Sequence, residues 1–138
     1  MSVSDHQQSY QAAHVLVVDD DELIRKTLKL HLETAGLRVS LASNGVEAVA
    51  SMERERPDII ILDLFMPEMD GFETLRRLNK FERRARILAV SGAGSKSGCS
   101  FLAMAAKLGA DHVLNKPFTA SELTAAVETL LAPVKSDS

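Results

Sequence analysis

Five short runs rich in valine, isoleucine and leucine recur along the chain, each followed by a segment of helical periodicity. This alternation constrains the fold more than any other feature. The runs are HVLVV (14–18), RVSLA (38–42), DIIIL (58–62), RILAV (86–90) and HVLN (112–115). The inner ones are too continuous for half-exposed strands and predict strands covered on both faces. Helical segments are predicted over 22–35, 45–55, 71–82, 100–108 and 121–131; in the first, Ile24, Leu28, Leu32 and Ala35 fall on one stripe. Strand then helix, repeated five times, forces parallel pairing through right-handed crossovers. The expected architecture is therefore an α/β open sheet with helices on both faces.

Local punctuation supports this register. In FTASEL, Thr119 caps the last helix with Glu122 reaching back, and Phe118 packs on Leu123 as a staple. Asn44 with Glu47 is a weaker start signal of the same kind, and Gly36 and Gly109 close two helices. A length of 138 residues with 46% hydrophobic content suits one domain, placed at 14–131 between tails at 1–13 and 132–138. A net charge of -3 gives no electrostatic footprint for nucleic acid or an anionic membrane. No stretch approaches a membrane span, and the first residues lack the basic start and apolar core of a signal peptide. The single cysteine, Cys99, reads as a packing residue, and the absence of a zinc-type Cys/His cluster fits a cytoplasmic protein.

In an open parallel sheet, side chains following the carboxyl ends of the strands converge on one rim, where ligands bind. Here the first run ends in Asp19, Asp20 and Asp21, the third in Asp63, the fourth in Ser91, and the fifth in Lys116 followed by Pro117. Taken singly, each has an ordinary explanation: an aspartate before a helix caps it, a serine before glycine turns the chain, a lysine is solvated. Taken together, four strand ends supply acid, acid, hydroxyl and amine to one edge, which an all-structural account does not explain.

The blocks VLVVDDDELIRKTL, DIIILDLFMPEMDG, ILAVSG and GADHVLNKPF, in this order over about His14 to Leu131, resemble the signature blocks of the response regulator receiver domain of two-component signalling. The resemblance implies a flavodoxin-like, doubly wound five-stranded parallel sheet of order 2-1-3-4-5. It also implies that Asp63 accepts a phosphoryl group from a phosphohistidine, with Ser91 and Lys116 contacting the phosphoryl oxygens. The implied cofactor is Mg2+, held by Asp20 and Asp63 through side-chain oxygens, by the main-chain carbonyl of Phe65, and by Asp19 largely through water. Asp21 begins the helix instead. The Lys116–Pro117 bond is a candidate cis peptide that would aim the lysine inward. The implied partners are a sensor histidine kinase or histidine phosphotransfer protein and a downstream effector protein, with no direct nucleic-acid contact and a monomeric or weakly homodimeric state. The chain reads as a stand-alone receiver that catalyses only its own phosphorylation chemistry and is not a metabolic enzyme.

Two positions depart from the family pattern. Three residues before the lysine, where the family carries a switching Tyr or Phe, stands Val113, so output is expected through reordering of 92–101 instead. Phe65, at a position often polar, is expected to screen an acyl phosphate from water. The basic stretch RRLNKFERRAR (76–86) reads as a solvated helix face, and the histidines, with no nucleophile or metal partner evident, carry no catalytic expectation. Two other classes fit less well. A small Mg-dependent phosphatase or hydrolase of haloacid dehalogenase type favours a second aspartate where Phe65 stands. A flavin binder would meet a repelling acidic loop after the first strand.

Overall fold

The computed structural model describes residues 13–65, 71–81, 85–92 and 103–132. They form five strands: β1 (His14–Val18), β2 (Arg38–Ala42), β3 (Ile59–Asp63), β4 (Arg86–Ser91) and β5 (His112–Asn115). The helices are α1 (Glu22–Thr34), α2 (Gly45–Glu55), α3 (Gly71–Leu78), α4 (helical over 103–107) and α5 (Ala120–Leu131). Every strand pair is parallel and the order is β2-β1-β3-β4-β5, the flavodoxin-like arrangement expected.

Successive strand side chains point to opposite faces, so the central strands must be apolar at every position. Val15, Val17, Ile59, Ile61, Leu88 and Val90 pack with Leu28 and Leu32 of α1 and with Leu123 and Val127 of α5. The alternate residues Leu16, Val18, Ile60, Leu62, Ile87 and Ala89 face Ala48 and Met52 of α2, Leu75 and Leu78 of α3, and Ala105 of α4. Each fully buried valine, leucine or isoleucine among them stabilises the fold by roughly 1.5–3 kcal/mol relative to an exposed one. The edge strands β2 and β5 are only partly covered, in keeping with their more mixed sequences.

Helix starts follow the capping chemistry of the sequence. Asp21 caps α1, its Oδ1 accepting from the N–H of Leu23 (2.9 Å) and of Ile24 (3.4 Å). Asn44 accepts from the N–H of Glu47 at 2.9 Å, and Thr119 and Glu122 exchange hydrogen bonds of 3.0 and 2.8 Å ahead of α5. Phe118 packs against the same core cluster as Leu123.

Three expectations change. α3 ends at Leu78, short of the predicted 82, because the Asn79 amide folds back to donate to the Leu75 carbonyl and also crosses to the Leu108 carbonyl, both at 2.9 Å. A side chain thereby closes the last turn and ties α3 to the end of α4. Ala13, assigned to a tail, belongs to the sheet layer: its carbonyl accepts from Arg38 N–H at 3.0 Å. His14 does have a hydroxyl partner, its Nε2 lying 2.7 Å from Ser40 Oγ, with Glu55 Oε1 at 3.7 Å from the same nitrogen. Both groups meet one ring nitrogen, so this is a packed polar pair and not a nucleophile relay. In the basic stretch, Arg76 and Arg77 both pair with Glu73 on an exposed helix face (2.8 and 3.0 Å), as a solvated face requires. Residues 1–12, 66–70, 82–84, 93–102 and 133–138, which include Pro67, Cys99, most of the loop expected to reorder and most of both predicted tails, lie outside the described residues.

Candidate functional site

The parallel register decides which strand ends meet. Val18 pairs with Leu62 and Asp63 with Val90, so Asp19, Asp63 and Ser91 reach the same rim from three adjacent strands. The end of β5 joins them through the Lys116 N–H, which donates to the Ser91 carbonyl at 2.9 Å. Asp19, Asp20 and Asp63 each present a carboxylate oxygen, and these oxygens lie within 4.8 Å of one another. Asp19 and Asp63 are buried, at 3% and 6% exposure, whereas Asp20 faces solvent.

Lys116 reaches into the acids from the far side of β4. Its Nζ donates to Asp19 Oδ2 at 3.3 Å and stands 3.9 Å from Asp63 Oδ2. The Lys116–Pro117 peptide is cis, as expected. The lysine stem crosses directly over Gly92: a Cβ at that position would fall 2.7 Å from both Cβ and Cδ of Lys116. The requirement for glycine after Ser91 was not read from the sequence, where the pair looks like an ordinary turn.

Among the described residues, the Phe65 N–H donates to Asp63 Oδ1 at 3.1 Å. Burial pushes its carboxyl up to about 6. The Phe65 N–H and the Lys116 charge act against that shift, and the charges of Asp19 and Asp20 add to it. Crowded, desolvated carboxylates of this kind are what a hard divalent cation relieves. Ser91 is fully buried, and among the described residues its Oγ is a side-chain polar atom without a hydrogen-bond partner. Such an atom next to a charged cluster is poised to donate to a ligand oxygen, since buried hydroxyls are otherwise satisfied.

Phe65 is partly exposed and lines a largely apolar groove of about 580 Å³ with Leu23, Ile24, Leu28, Pro117 and Phe118; Asp63 and Lys116 lie at its edge. Val113, in the place of an aromatic switch, is partly buried and packs against the core on the α2–α3 side. All six predicted site residues thus lie on this rim. Sequence reasoning missed two features, the Gly92 crossing and the hydrogen bond from Arg25 Nη1 to the Asp19 carbonyl at 2.6 Å.

Comparison with known proteins gives one consistent answer. Residues 15–128 match the family described as the response regulator receiver domain. The chain is 37% identical to the response regulator MprA of Mycobacterium leprae over 123 residues, which cover 89% of this chain and 53% of that protein. It therefore spans about half the length of such relatives. Among solved structures, a response regulator signal receiver domain from Bermanella marisrubri superposes with a TM-score of 0.79 at 34% identity, covering 86% of this chain and 98% of the other. The receiver domain of the Francisella response regulator 1452 gives a TM-score of 0.77 at 31% identity, with coverage of 86% and 95%.

Proposed function

The chain belongs to the response regulator receiver family of two-component signalling, and on that footing we propose that Asp63 is the residue that takes up the phosphoryl group. One observation carries the reading: a buried aspartate at the end of the central strand stands within reach of two further acids and a lysine, beside a buried hydroxyl with no partner among the described residues. A carboxylate oxygen of Asp63 attacks phosphorus, the bond from phosphorus to the donor imidazole nitrogen breaks, and that nitrogen leaves as neutral imidazole once it carries a proton. The product is an acyl phosphate on Asp63. Lys116 offsets charge on the phosphoryl oxygens as a point cation, and Ser91 donates its hydroxyl hydrogen to one of them.

Asp19, Asp20 and Asp63 fit a divalent cation, and Mg2+ is the ion this reading assigns to them, with the Phe65 carbonyl as a further ligand. When bound it offsets negative charge on the acids and on the transferred group. The apolar groove beside Asp63 supports a protein donor, a sensor histidine kinase or phosphotransfer protein, docking next to the acceptor. Output passes to an effector protein through a second conformation favoured by the new contact with Ser91. The cytoplasm is the compartment this reading assigns to the chain; among the described residues, no helix is long and apolar enough to cross a membrane.

The test is intact-mass analysis after incubation with acetyl phosphate and Mg2+. The parent gains one phosphoryl mass and Asp63→Asn gains none; equal labelling of the two would overturn the assignment.

A further inference from the structure

We propose that Arg25 is a positioning residue for the cation site: by holding the main-chain carbonyl of Asp19, its guanidinium sets the acidic turn in the geometry that lets Asp19, Asp20 and Asp63 share one divalent ion. The inference rests on the magnesium reading above.

Arg25 lies in the first turns of α1 and is partly buried. Its Nη1 donates to the Asp19 carbonyl at 2.6 Å, a short charge-assisted bond. The remaining polar atoms of Asp19 are held from other directions. Its N–H donates to the Ala42 carbonyl at the end of β2 (3.2 Å), Oδ1 accepts from the Asp21 N–H (2.9 Å), and Oδ2 accepts from Lys116 (3.3 Å).

The carbonyl that Arg25 holds belongs to the peptide joining Asp19 to Asp20. A peptide is planar, so fixing its oxygen fixes the plane, and with it the direction in which the chain leaves one acid for the next. Arg25 thereby acts on the relative placement of two cation-facing side chains without touching either carboxylate. Its charge is also felt by Glu47 of α2, whose carboxyl is held below the ordinary range first by the N–H and hydroxyl of Ser43 and further by Arg25. The guanidinium thus bonds the acidic turn and is near enough to α2 for Glu47 to feel its charge.

This placement makes the sign of the effect diagnostic. A positive charge beside a cation site repels the ion, so removing Arg25 tightens Mg2+ binding if charge alone matters. A positioning role predicts the reverse.

The experiment is an Mg2+ titration of the full chain followed by amide chemical shifts at the rim, with a thermal melt of each variant. Arg25→Gln is expected to raise the Mg2+ Kd about 10-fold, as loss of an outer partner of a metal ligand does. Arg25→Lys keeps the charge but not the fork, and is expected to raise it by a smaller factor. Lys26→Gln removes an exposed cation one residue along α1 that pairs with Glu22, and is expected to leave the Kd unchanged or slightly lower. An Arg25→Gln Kd equal to or below the parent's overturns the inference, as does weakening of the same size in Lys26→Gln. Should Arg25→Gln fail to fold, Arg25→Lys decides, an unchanged Kd overturning the proposal. A parent that shows no Mg2+-dependent shift at the rim refutes the magnesium reading itself and takes this inference with it.

Discussion

The two rims of the sheet use the same acidic side chain in opposite ways. At the rim where the strands begin, Asp58 and Asp111 are exposed, and each accepts a main-chain N–H across a strand boundary: His14 N–H to Asp58 and Ile87 N–H to Asp111, both at 2.8 Å. The main chain of the same two residues bonds the same neighbours, Asp58 N–H to the His14 carbonyl and Asp111 N–H to the Ile87 carbonyl, again at 2.8 Å. These acids staple β1 to the start of β3 and β4 to the start of β5. At the opposite rim, Asp19 and Asp63 are buried and crowd against Asp20 and one another. An acid that is solvated and satisfied holds a fold together, whereas one that is desolvated and crowded holds free energy that a ligand can release.

The largest effect is expected at the crowded rim. Lys116→Met should slow phosphoryl uptake from acetyl phosphate by about 100-fold, the order seen when one preorganised charge donor is removed. Its measurement is the initial rate of mass gain, and a loss under a few-fold would show the ammonium to be dispensable there.

Next comes a stability difference whose sign depends on the rim. The folded Asp63 carboxyl titrates near 6 and the unfolded one near 3.8, so ionisation costs the folded state more. Stability contributed by the protonated form is present below about pH 4 and is lost as pH rises through about 6. Without divalent ions, Asp63→Asn should then be more stable than the parent by up to about 3 kcal/mol at pH 7.5 and about equal to it at pH 4. Urea denaturation in EDTA at the two pH values reads this directly. Asp58→Ala, at the other rim, should instead lose about 1 kcal/mol under the same conditions, the net worth of one hydrogen bond to a partly buried N–H. If both variants shift stability in the same direction, the contrast between the rims is wrong.

The smallest expected effect concerns the partly exposed Phe65 ring at the edge of the groove. Phe65→Asn should lose its acyl phosphate faster than the parent by a few-fold, because water is less excluded. The decay of the phosphorylated mass after removal of acetyl phosphate measures it, and equal or slower decay would remove the screening role.

Much of this was legible in the residues. Hydrophobic period, Asp21, Asn44 and the Thr119–Glu122 pair located the helices to within a residue or two at their starts, since each signal acts over at most four positions. The early end of α3 was not legible, because one of the Asn79 amide bonds that closes it goes to Leu108, 29 residues away. The staples at Asp58 and Asp111 were hidden for the same reason. DIIIL was read as starting its strand at Asp58, yet the strand begins at Ile59 and the acid bonds back to β1.

The chain by itself determined the alternation of strand and helix, the continuous burial of the central strands, and which chemical type ends each strand. These follow from local periodicity and from apolar surface leaving water, and neither depends on which neighbour is found. Tertiary structure alone decided that Lys116 sits nearer Asp19 than Asp63, 97 residues apart for the closer pair, that its stem needs Gly92 to pass, and that Arg25 takes the Asp19 carbonyl. Those contacts depend on strand order and register, which set the ends of β1, β3, β4 and β5 side by side along one rim.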